Sequence, residues 1–201
     1  HFLRENRIMI RSEETLAGFN KQDILNQTHN FLRSCARTMM LCAESPVQEK
    51  MVRNFAEQIE RNVMKDFEPQ PIPVLDSLGL VKDMKLARDF REFAMYLPWS
   101  YSPRTLDKGT QMGIMDFRAM FDLGNVVSGL MYVDSHKNYP EHNHLPGEMY
   151  FLISGTAQWR HGGSPHYEML TAGNVVYNHP WNWHGVRAGH TPVLALYLLV
   201  L

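Results

Sequence analysis

Residues 139–155 read YPEHNHLPGEMYFLISG, and the fold turns on how this stretch is parsed. His142 and His144 are two apart, so on an extended strand they share a face about 7 Å apart along the backbone. Leu145-Pro146-Gly147 is a turn, and Glu148 and Tyr150 repeat the same parity on the strand that follows it. Two imidazoles, a carboxylate and a phenol therefore converge from two adjacent extended segments. Imidazole with carboxylate suits Zn, Fe, Mn, Ni or Co without choosing among them, and one divalent transition metal per chain is the expectation. His29, His136, His161 and His166 lack such company and read as ordinary surface histidines.

Residues 172–186, AGNVVYNHPWNWHGV, extend the pattern. Gly173 opens a strand, Pro180 marks the turn beyond it, and His184 begins the return strand, where it supplies a fourth ligand. Around these two stretches lie short apolar or aromatic runs at 93–97, 112–118, 125–133, 147–153, 156–160, 166–170, 174–178 and 193–200, separated by Gly, Pro, Asn and Asp. That texture is mostly β, a sandwich or barrel of many short strands.

The N-terminal third differs. Ile24, Leu25, Phe31, Leu32, Cys35, Met39 and Cys42 recur at three-to-four spacing, which predicts a helix over about 23–41. Ser45 as N-cap, Pro46 at N1 and Gln48 at N3 start a second helix, whose stripe of Val47, Met51, Val52, Phe55, Ile59, Val63 and Met64 predicts continuation to about Phe67. Pro69-Gln70-Pro71-Ile72-Pro73 cannot continue it and reads as an extended linker, and a short helix follows near 82–90. The organisation is thus a helical region and linker over 1–73 and a β domain carrying the metal site over 74–201. The apolar stripes must be buried, against the β domain or in a homodimer.

Composition narrows the function classes. The chain has 201 residues, with 20 Lys and Arg against 21 Asp and Glu; no basic face marks a nucleic-acid binder. No apolar run approaches the roughly 20 residues of a membrane span. Cys35 and Cys42, seven apart in one helix, are too distant to pair and read as free thiols. The opening HFLRENRIMIRSEE is too polar for a signal peptide, so a cytoplasmic location is expected.

The two quoted stretches resemble the paired motifs of the cupin superfamily, G-x5-H-x-H-x3,4-E-x6-G and G-x5-P-x-G-x2-H-x3-N. His142, His144, Glu148 and Gly155 match the first; Gly173, Pro180 and His184 match the second with one extra residue before the proline and one fewer between the proline and the histidine. Asn182 stands where glycine is usual and Ala188 where the final asparagine would be, and neither position is a ligand. The resemblance implies a double-stranded β-helix, or jelly-roll, barrel with the metal on His142, His144, Glu148 and His184. Within cupins the chain is similar to the dimethylsulfoniopropionate lyases of about 200 residues with a helical N-terminal region. Tyr139, five residues before His144, and Tyr150, two beyond Glu148, carry that closer likeness. It implies Tyr150 as catalytic base, or as a ligand that becomes one, with Tyr139 as competing base or positioning group.

The implied substrate is a small zwitterion, a carboxylate joined by two methylenes to a dimethylsulfonium cation. Its cation calls for aromatic faces, and Trp159, Tyr177, Trp181, Trp183 and Tyr197 surround the second motif in sequence. Competing readings are another metal-dependent cupin enzyme, such as a dioxygenase or sugar-phosphate isomerase, and a binding cupin without catalysis. An isomerase would want several basic residues at the site; between 138 and 186 there is only Arg160.

Overall fold

The computed structural model describes residues 20–70, 72, 85–101 and 112–201. Helix α1 spans Lys21–Leu41; the Asn20 side chain accepts from the N–H groups of Gln22 and Asp23, satisfying donors that the first turn leaves unpaired. Its buried stripe runs from Ile24 and Leu25 through Phe31, Leu32 and Cys35 to Met39, and both cysteines are free. Helix α2 spans Pro46–Arg61 behind Ser45, whose hydroxyl accepts from Gln48 N–H. The Gln48 side chain reaches back to the N–H of Glu44, so the capping box closes one residue earlier than the sequence suggests. The helix also stops six residues short of Phe67. Asn62 adopts φ 50° and its N–H returns to Ile59 O, a left-handed cap that asparagine tolerates. Val63 and Met64 therefore leave the stripe; Met64 forms an isolated bridge with Phe121.

Helix α3, Lys85–Arg91, buries Ala87 and Phe90, and the Phe90 ring packs on Phe31 at 5.1 Å between centroids. The run 93–97, read as a strand, contains a single 3-10 turn at Ala94–Tyr96. Phe93, Ala94 and Leu97 are buried and Met95 exposed; that is the spacing of a helical face rather than strand alternation. In the linker, Gln70 bridges to Pro98 and Ile72 is buried. The boundary expected at 73/74 and the polar opening residues lie outside the described residues.

Ten strands follow among the described residues: β1 Ser100–Tyr101, β2 Met112–Asp116, β3 Val126–Val133, β4 Asn138–His142, β5 Glu148–Ser154, β6 Thr156–Arg160, β7 Glu168–Thr171, β8 Val175–Asn178, β9 His184–Ala188 and β10 Val193–Val200. They form a six-stranded sheet, β1-β2-β3-β10-β5-β8, and a four-stranded sheet, β4-β9-β6-β7, with every pairing antiparallel.

Two apolar cores result. Met149, Phe151 and Ile153 of β5 join Leu194, Leu196 and Leu198 of β10 in packing against the helices. Tyr150 and Leu152 face the other way, into a second core with Tyr139, Ala157, Trp159, Val186 and Ala188 of the four-stranded sheet. The helical stripes thus cover the outer face of the larger sheet, and the site lies between the two sheets. All seven residues of β5 are buried, so its sequence shows little alternation.

Candidate metal centre

Four ligand-bearing residues meet at one end of the space between the sheets. His142 closes β4 and pairs across the ladder with His184, the first residue of β9; Glu148 opens β5. One ligand atom from each of His142, His144, Glu148 and His184 lies within 4.8 Å of the others, the only such group of metal-ligating side chains among the described residues.

The expected arrangement of His142 and His144 on one strand face is not what brings them together. β4 ends at His142, and His144 lies in the turn before β5. There its Nδ1 is 2.9 Å from Pro146 O, while its own carbonyl accepts from Trp181 N–H at 2.8 Å. A bulge between Tyr139 and His142 also resets parity along β4. Both residues consequently point inward, three apart, with rings 4.6 Å apart.

The imidazole chemistry fits a cation. Each Nδ1 faces a backbone carbonyl: His142 to Pro140 O at 2.9 Å, His144 to Pro146 O at 2.9 Å, His184 to Asn182 O at 2.8 Å. A carbonyl only accepts, so Nδ1 carries the proton and Nε2 is left to the centre, the arrangement that orients metal-binding histidines. His184 Nε2 is buried, lacks any hydrogen-bond partner among the described residues and stands 3.0 Å from Glu148 Oε2. That close but misaligned approach is what two ligands to a shared ion would make. Burial raises the Glu148 pKa, but the neighbouring imidazoles of His144 and His184 outweigh it and hold the carboxyl below its ordinary range.

Tyr150 lies beside the ligands, its ring 6.1 Å from His184 and in edge contact with Trp159 at 5.0 Å. Burial, then the negative charge of Glu148, push its pKa well up. In the protein alone Tyr150 therefore holds its proton. The expected pocket aromatics separate. Trp159 and Tyr197 lie with Tyr150 between the sheets. Trp181 and Trp183, 60% and 49% exposed, precede His184 in the turn from β8 to β9, where Trp181 takes φ 65°. Tyr177 packs against the helix-side core, on the face of β8 opposite Val176 and Asn178. One inward residue escaped the sequence reading: Asn178, across the ladder from Glu148. Its signal was present as a polar side chain on the inward parity of the apolar strand Val175–Asn178.

Two face-packed antiparallel sheets with a three-histidine, one-glutamate centre define a metal-binding protein of the cupin superfamily. Within it, the model of the dimethylsulfoniopropionate lyase family matches residues 44–195, and the chain belongs to that family. The lyase DddQ from Ruegeria pomeroyi DSS-3 superposes with a TM-score of 0.59 at 18% identity, covering 69% of this chain and 77% of that one. A structure described with the lyases RdDddP and RnDddQII gives 0.60 at 20% identity, covering 84% and 94%. At these identities the likeness speaks to the fold. No curated protein sequence matches the chain.

Proposed function

We propose that the two sheets close into the cupin jelly-roll and that the protein is a metal-dependent carbon–sulfur lyase, converting dimethylsulfoniopropionate to dimethyl sulfide and acrylate. The observation carrying this reading is the convergence of His142, His144, Glu148 and His184 with Tyr150 buried beside them, in a chain of this family. A divalent cation held by those four residues would supply Lewis-acid charge to the substrate carboxylate and favour the ionised form of a neighbouring phenol.

The residues of the chain do the rest. Tyr150 presents its ionised oxygen to the carbon alpha to the carboxylate and takes a proton from it. The C–H electron pair becomes the carbon–carbon double bond, and the C–S bond breaks with its pair leaving on sulfur as neutral dimethyl sulfide. Acrylate remains, and Tyr150 carries the proton until water removes it. Tyr139, against the His142 ring, positions the substrate or competes for the same proton. The packed core around Trp159 and Val186 keeps water from the back of Tyr150. Trp183, exposed and adjacent to His184, offers a face to the sulfonium.

Headspace detection of dimethyl sulfide from metal-loaded protein tests the reaction, with chelation abolishing it. Tyr150→Phe keeps ring and packing and should lower kcat by about 100-fold or more at unchanged metal content, the range for a lost general base. Full turnover in that variant would reject Tyr150 as the base, and no turnover by the wild-type protein under any metal would reject the lyase.

A further inference from the structure

Asn178 is buried at the end of β8 and pairs directly with Glu148 across the β5–β8 ladder. Directly opposed residues of an antiparallel pair share a face, so the amide and the carboxylate both project between the sheets. Gly162 N–H donates to Asn178 Oδ1 at 2.9 Å. A backbone N–H can only donate, which assigns the oxygen to that side and turns Nδ2 away from it. Nδ2 is buried and has no hydrogen-bond partner among the described residues, a costly arrangement for an amide that could have been apolar. Trp159 Nε1 is also unpartnered among the described residues, but it sits on β6 with its ring in edge contact with Tyr150, not across a ladder from a ligand.

An unpaired N–H donor beside a carboxylate-binding metal centre suits an anion. The local cations are engaged elsewhere: Arg160 pairs with Glu141 and donates to Ser164 O at 3.0 Å, and Arg187 lies over the Tyr167 ring. With Glu148 already negative, a second oxygen of an incoming carboxylate needs a neutral donor on the same face. A cationic end gains nothing from one.

Resting on the lyase reading, we infer that Asn178 is a substrate-binding residue: its Nδ2 donates to the substrate carboxylate and sets the zwitterion carboxylate-inward, with the sulfonium toward the mouth.

The test separates donor from acceptor. Asn178→Leu removes both functions; Asn178→Asp keeps an oxygen for Gly162 N–H and removes the amide donor. Propionate binding to metal-loaded protein is measured by calorimetry, alongside KM for dimethylsulfoniopropionate, metal content and melting. A hydrogen bond to a charged group carries a factor of about ten or more, so both variants should weaken propionate and raise KM by at least that factor at full metal occupancy. Wild-type propionate affinity in either variant overturns the proposal. Recovery in Asn178→Asp alone does so too, since Asn178 would then act through its oxygen on the Gly162 turn. Should Asn178→Leu fail to fold, Asn178→Asp carries the test alone. Propionate binding needs no turnover, so failure of the lyase reading and failure of this assignment give different results.

Discussion

At the residue scale, the centre depends on three imidazoles, each held by a backbone oxygen. His184→Ala removes a ligand whose Nδ1 bond to Asn182 O presents Nε2 inward, and should lose most bound metal by elemental analysis. His161→Ala should not, because His161 lies outside the four-ligand group, 3.5 Å from Glu168. Loading displaces protons from the imidazoles, so bound metal should fall as pH is lowered. Glu148 does not set that acid limit, because its carboxyl is held below the ordinary carboxylate range. At the mouth, Trp183→Leu should raise KM for the sulfonium substrate by up to about 30-fold, the equivalent of about 2 kcal/mol. Propionate binding should be unchanged, and equal losses for both ligands would mark a packing defect. All four ligands were legible from spacing and turn residues. The bulge in β4 was not, because it depends on pairing with β9, a partner some 45 residues away. Asn178 was missed for a related reason: its meaning comes from Glu148 across the ladder.

At the element scale, the strand-rich region and both long helices were readable because their apolar periods differ. Boundaries failed where a single residue's backbone decides. Asn62 ends α2 by its left-handed conformation, while the apolar spacing runs on through Val63 and Met64. β4 is absent from the apolar runs, although its His142 reads as extended, because Tyr139 is the one large apolar side chain in Asn138–His142. Gly155, between β5 and β6, takes φ 87°, and an added Cβ would sit 2.1 Å from Pro192 O. Gly155→Ala therefore meets both strain and a backbone clash, and should destabilise by several kcal/mol in a denaturant titration. Ser45→Ala removes one cap hydrogen bond and should cost about 1 kcal/mol.

At the scale of the whole molecule, the helical layer and the metal centre are mounted on the two faces of one strand. Phe55 of α2 is fully buried in the helix-side core, and Phe55→Ala should lower stability by about 3–5 kcal/mol. No residue near Phe55 ligates, so its metal stoichiometry below the transition should stay at one per chain. The two-sided burial of β5 has a consequence for heating. Glu148 and Tyr150 cannot keep their places once Met149, Phe151 and Ile153 lose the helices, so the layers should melt as a single cooperative unit. Free metal then acts as a thermostat for the entire chain. Each tenfold excess above its dissociation constant adds about 1.4 kcal/mol to folding, and the helical circular dichroism, generated some distance from any ligand, should report the ion's concentration through its midpoint.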